Sequence, residues 1–153
     1  MTHNFSLKPA AVAITDVDSK QAILEQLAKR FADVYGFDES TVLERIEERE
    51  KLGSTGFGRG VAIPHARMAG VKRPTTVVLR LEKPVDFDAA DGMPVDLVFG
   101  LISPENAGAQ HLQALAAVSR LVRHEETRDM LGQARDAEAI FALLNNSIDR
   151  DAA

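Results

Sequence analysis

Side chains able to do chemistry together are concentrated between Arg49 and Arg67, in REKLGSTGFGRGVAIPHAR. Four glycines, Gly53, Gly56, Gly58 and Gly60, precede a short apolar run, Val61 to Ile63, that delivers Pro64 and His65. Glycine is used where a backbone takes positive φ or approaches something closely. Imidazole is the side chain that can act as a neutral nucleophile near pH 7. A phosphoryl group arriving on it brings about two negative charges that need donors. Ser54, Thr55 and the N–H groups of the loop around Gly56 could supply hydrogen bonds, and Arg49 a charge-assisted one. The alternative for His65 is a packed or surface loop residue. For Arg49, whose spacing from Val42 and Ile46 puts it on the apolar side of a helix, the alternative is a stem covering the core edge with its head in water.

His111 is a second candidate. It stands at the start of a helical segment, where the positive end of the helix dipole disfavours its protonation and favours an anion nearby; the competing reading is a satisfied, half-buried histidine. His124, among Arg120, Arg123 and Arg128, reads most simply as a solvated residue, and His3 lies in a terminus. Contributions of Arg59, Arg67 or His124 to a site or a docking surface are left open by the sequence. A metal site would require His65, His111 and a carboxylate such as Asp86 or Asp88 to converge, and no HExxH motif or cysteine cluster asks for one. From Gly53 the Walker frame reaches Gly58 but continues Arg59-Gly60, without its lysine and hydroxyl. The dinucleotide fingerprint meets Val61 where it needs Gly or Ala, and it precedes a strand rather than following one. A Gly-x-Ser-x-Gly elbow is absent as well. Neither a nucleotide cofactor nor a metal is expected.

These residues must be held by the elements around them. A chain of 153 residues, 45% hydrophobic and 27% charged, has the size and composition of one globular domain. Its net charge of −5 and single tyrosine, Tyr35, argue against nucleic acid as a partner. No apolar run approaches the roughly 20 residues that span a bilayer. MTHNFSLKPAAVAITD lacks the features of a secretory signal, and the chain has no cysteine, so a cytoplasmic protein is expected. Val12 to Ile14 is a short strand or an apolar lead-in. A helix capped by Asp18 or Ser19 carries Ile23, Leu24, Leu27, Phe31 and Val34 to a stop at Tyr35-Gly36. A second runs from Asp38–Ser40 to Gly53, with Val42, Leu43 and Ile46 on one face and Glu44, Glu47, Glu48 and Glu50 mostly elsewhere. Val61 to Ile63, Thr75 to Leu81 and Val95 to Ile102 read as strands, the last so apolar that both its faces must be covered. Pro84 to Asp88 and Asp91-Gly92 read as turns. A helix from about Ala109 and helical turns at Thr127–Gly132 and Asp136–Leu144 follow, before a polar tail, 145–153. The interleaving predicts a single α/β domain over 1–153, its core about 7–144, with a mixed β-sheet flanked by helices on both faces.

Arg49-Glu50-Lys51-Leu52-Gly53-Ser54-Thr55-Gly56, Val61-Ala62-Ile63-Pro64-His65-Ala66-Arg67, Pro94-Val95-Asp96-Leu97-Val98 and Gln110-His111-Leu112 resemble the IIA domain of the bacterial phosphoenolpyruvate-dependent phosphotransferase system. The resemblance is to its fructose/mannitol type and, within that, to the nitrogen-regulatory branch, and it extends from about Leu7 to Leu144. It implies that His65 accepts a phosphoryl group through Nε2 from the phosphohistidine of HPr or an HPr-like phosphocarrier, with Arg49 and His111 stabilising that group and no metal or nucleotide taking part. It also implies a docking surface for the carrier, expected to be apolar and of modest size near Phe57 and Met68. Three outputs are compatible with it. A regulatory protein would bind target proteins according to its phosphorylation, a sugar-specific component would pass phosphate to a IIB component, and an interaction module would keep the fold without phosphorylation.

Overall fold

The computed structural model describes residues 4–152, with side chains described through residue 148; His3 lies outside the described residues. After a 3-10 turn at Pro9–Ala11, strand β1 (Val12–Thr15) leads into helix α1 (Lys20–Tyr35). Ser19 caps that helix by accepting the Ala22 N–H at 3.0 Å, and Asp38 does the same for Thr41 at the start of α2 (Glu39–Lys51). Both caps satisfy donors that a helix start otherwise leaves open. Strands β2 (Gly56–Gly58), β3 (Val61–Ala62), β4 (His65–Met68), β5 (Thr75–Val85) and β6 (Val95–Pro104) follow, then helices α3 (Gly108–Arg123), α4 (Glu125–Gln133) and α5 (Ala137–Ala152).

The sheet is mixed, as predicted, with strand order β1-β5-β6-β3-β2, and β4 also pairs with β6. β6 runs antiparallel to β5 and parallel to both β3 and β4, so this apolar strand is central. Alternation along the strands divides the core in two. Val77, Leu79, Val98 and Ile102 face Leu27, Phe31, Val42 and Ile46 of α1 and α2. Val78, Phe99 and Leu101 face Ala114, Val118, Leu121 and Leu131, with Ile140 and Leu144, of α3 to α5. Helices therefore cover both faces, and β4, beside β6, sits under the end of α2.

Four segments differ from the sequence reading. Gly56 to Gly58 is a strand rather than part of an open loop, and His65 opens a strand rather than riding a loop. HARM alternates polar and apolar residues over only four positions, too few to reveal a strand alone; its pairing with β6 makes it one. β5 continues to Val85 because Pro84 falls in the irregular stretch between paired Arg80 and Val85, where its missing N–H breaks no regular ladder. The polar segment after Leu144 continues α5, with Ser147 buried and Ile148 against the core.

Candidate functional site

The sheet presents His65 through an interruption. β3 and β4 both lie along β6, Val61 opposite Leu97 and His65 opposite Leu101, and Ile63-Pro64 separates them. Pro64 has no N–H for the ladder, while its carbonyl accepts from Leu101 N at 2.9 Å and Ile63 N turns away to Thr55 O at 3.0 Å. The Ile63 carbonyl is left to meet His65 Nδ1, 2.7 Å away. A carbonyl only accepts, so Nδ1 carries the proton and the neutral ring keeps its lone pair on Nε2. Alternation then places His65 and Arg67 on one side of β4, with Met68 on the other, buried among α1 and α2 side chains. Ser103, the register partner of Arg67, follows Leu101 by two residues and so shares the α3 side of the sheet.

An open cleft of about 640 Å³ collects these groups. Arg49, His65, Arg67 and His111 line it, with Arg45, Glu48, Leu52, Glu105 and Leu112 among the residues around them. Arg49, in the last turn of α2, donates from Nη1 to the Gly53 carbonyl at 2.9 Å. That bond aims the guanidinium across the helix end and uses one of its five N–H donors. His111 is in the first turn of α3, 9% exposed. Its ring centroid is 5.6 Å from that of His65 at an interplanar angle of 47°, and its Nδ1 lies 2.7 Å from Ser103 Oγ.

Both imidazoles resist protonation. Burial lowers the His65 pKa below the ordinary histidine value and Arg49 lowers it further, while the Ile63 carbonyl and Glu50 act the other way. Burial, then His65 and Arg67, bring His111 down to about 4. The cleft therefore sets two neutral rings beside Arg49 and Arg67, an arrangement that stabilises an arriving anion and keeps Nε2 of His65 unprotonated near pH 7. His111 has a stability consequence. Its folded pKa lies below its unfolded one, so between about 6.5 and about 4 the unfolded chain binds the extra proton, and stability falls as pH falls. The loss assignable to His111 over that window is on the order of 3 kcal/mol. Urea midpoints at pH 7 and pH 4.5 are expected to lie further apart for the wild type than for His111→Gln; an equal gap in the two chains would remove His111 as the cause.

The predicted phosphate-binding loop is built differently. Ser54 Oγ donates to the Phe87 carbonyl at 2.7 Å and accepts from Gly56 N at 3.0 Å. Thr55 gives both its N–H and its hydroxyl to the Glu50 carboxylate. A Cβ on Gly56 would stand 2.6 Å from Ala89 Cβ, so glycine there permits close packing rather than an anion cradle. Ser54, Thr55 and Gly56 are thus a brace behind the cleft, with their donors already spent. Glu50, which the sequence reading set away from the apolar face, is the buried centre of that brace and also pairs with Lys20 Nζ at 3.0 Å. Its spacing of i+4 from Ile46 and i+8 from Val42 was the available signal.

The residues left open also find places. Arg67 joins the cleft. Arg59 does not; with φ 58 it forms the two-residue turn between β2 and β3 with Gly60, and its N–H donates to Asp91 Oδ2 at 2.8 Å. His124 lies at the junction of α3 and α4, beside a different depression. Met68 is 6% exposed, and Phe57 does not line the cleft. The exposed apolar side chains at its rim are instead Leu52, 84% exposed, and Leu112, 67% exposed. Among the described residues no helix is long and apolar enough to cross a membrane.

A mixed sheet between two helical layers, with a histidine after Ile-Pro presented to arginines, has close counterparts. Residues 6–147 match the family described as phosphoenolpyruvate-dependent sugar phosphotransferase system, EIIA 2, and the chain belongs to that family. It is 45% identical over 128 residues to a nitrogen regulatory protein of Bradyrhizobium diazoefficiens, covering 84% of each chain. It is 46% identical over 127 residues to one of Pseudomonas aeruginosa, covering 82% of each. The crystal structure of nitrogen regulatory protein IIA-Ntr from Neisseria meningitidis superposes with a TM-score of 0.84 at 40% identity, covering 90% of this chain and 95% of that one.

Proposed function

We propose that this chain is a phosphohistidine-carrying regulatory protein: it accepts a phosphoryl group on His65 from an HPr-like phosphocarrier and signals by binding target proteins according to its phosphorylation. The observation that carries the reading is the Nδ1–H bond from His65 to the Ile63 carbonyl, which leaves the Nε2 lone pair beside Arg49, Arg67 and His111. In the transfer, Nε2 attacks phosphorus in line. The new N–P bond forms as the donor's N–P bond breaks, and that electron pair returns to the donor imidazole. Little covalent machinery is required beyond alignment and neutralisation of the oxygens, which the two arginines can supply. As the ring acquires positive character on phosphorylation, the Ile63 carbonyl offsets it. Leu52 and Leu112 offer the carrier an apolar rim, where of the two expected residues Met68 is buried and Phe57 is exposed outside the cleft, and the arginines beside them attract a phosphorylated, anionic partner.

The regulatory output is supported by the names of the relatives matched over most of both chains. The family description, which is that of a sugar system, favours a second reading in which a IIB component receives the phosphate. Incubation with phosphoenolpyruvate, enzyme I and the carrier is expected to add one acid-labile phosphate per chain, retained when a fructose-type IIB component is added. Passage to IIB would establish the sugar reading. An unlabelled chain would overturn phosphoryl transfer altogether and leave an interaction module.

A further inference from the structure

The two cleft histidines make different bonds through the same ring atom. His65 Nδ1 faces a carbonyl, whereas His111 Nδ1 faces a hydroxyl, Ser103 Oγ, at 2.7 Å. A hydroxyl can donate or accept, so the direction of the second bond has to be settled by its surroundings. Ser103 is 0% exposed, and its side-chain hydrogen bond among the described residues is the one to His111. Were His111 Nδ1–H to donate, the buried hydroxyl proton would have no acceptor, at a cost of about 1–3 kcal/mol. Donation from Ser103 to Nδ1 satisfies both groups. It requires the proton of the neutral His111 ring to be on Nε2.

We propose that Ser103 is a positioning residue that holds neutral His111 as its Nε2–H tautomer, so that His111 donates a hydrogen bond to the phosphoryl group on His65 and cannot itself act as the nucleophile. The inference rests on the phosphoryl-acceptor role proposed above for His65. It divides labour between two similar rings. The carbonyl of Ile63 makes His65 a lone-pair bearer at Nε2, and the hydroxyl of Ser103 makes His111 a donor at Nε2. Two features keep the division in place. Ser103 is locked in β6 opposite Arg67 of β4, and the Arg67 guanidinium opposes a second proton on His111.

Histidine-ring proton–nitrogen correlation spectra of the whole protein near pH 7 test this directly. In the wild type His65 is expected as Nδ1–H and His111 as Nε2–H. In Ser103→Ala the His111 ring should populate Nδ1–H, and transfer from the phosphorylated carrier should slow by about 10- to 100-fold, less than the roughly 100- to 1000-fold effect of deleting a donor outright. Ser103→Thr, which keeps the hydroxyl, should keep the His111 tautomer. A wild-type His111 with its proton on Nδ1 would overturn the proposal whatever the variants do, and so would Ser103→Ala with unaltered tautomer and rate. Nε2–H on His111 in a protein that takes no phosphate on His65 would overturn the function proposed above instead, which keeps the two failures distinct.

Discussion

His65→Ala is expected to take up no acid-labile phosphate under conditions in which the wild-type chain takes up one. The effect is total because the bond to phosphorus needs a lone pair, and His65 Nε2 is the imidazole nitrogen in the cleft whose lone pair is held free by its ring partner. His111, the neighbouring ring, is 9% exposed and bonded at Nδ1 to Ser103, so it does not substitute. The fold should survive the change. His65 lies at the start of β4, beside the cleft and outside the two core clusters, and its loss removes one hydrogen bond, to the Ile63 carbonyl, at a cost of about 1–3 kcal/mol. Mass measurement of the variant after incubation with the carrier system, beside a thermal melt, separates the two effects. A cooperatively folded His65→Ala chain that still carries phosphate would sink the assignment of His65.

Arg49→Ala should slow transfer by about 100- to 1000-fold, the range for removing a donor aimed at developing charge. Arg49 and Arg67 both line the cleft, but they come from different elements, the end of α2 and the body of β4, so one cannot move into the place of the other. The Gly53 carbonyl fixes the direction of the Arg49 head at 2.9 Å, which makes its contribution one of preorganisation. Arg49→Lys keeps the charge but loses the planar fork, and an intermediate rate is expected. Rapid-quench kinetics of transfer from the phosphorylated carrier measure both variants. Rates equal to wild type would return Arg49 to a stem that covers the core edge with its head in solvent.

Arg49 and Glu50 lie on the same stripe of α2, and the sequence singled out one and passed over the other. Val42 and Ile46 fix the buried side of α2, and both Arg49, at i+7 from Val42, and Glu50, at i+8, continue it. Charge chemistry selected Arg49 because it could meet an anion. The spacing alone also marked Glu50 as inward, but a buried carboxylate needs partners, and Lys20 lies thirty residues away in α1 while Thr55 lies beyond the helix end. The Gly-Ser-Thr-Gly loop suffered from the same locality. Its donors look free in sequence, and they are spent on Glu50 at the end of the preceding helix, on Ser54 within the loop, and on the Phe87 carbonyl, which alone is brought from far along the chain.

By itself the sequence determined the α/β class, the two capped helices, the central apolar strand and the three residues, Arg49, His65 and His111, that the fold gathers into one cleft. These are written in spacing and in residue chemistry, which act over a few positions and survive without knowledge of neighbours. Only the tertiary structure decided that His65 stands on a strand, that Arg67 completes the arginine pair, that Leu52 and Leu112 form the exposed apolar rim, and that Ser103 meets His111. A strand exists through the hydrogen bonds of its partner, and a ring nitrogen takes its role from the atom it faces. Both are set by contacts between segments remote in sequence.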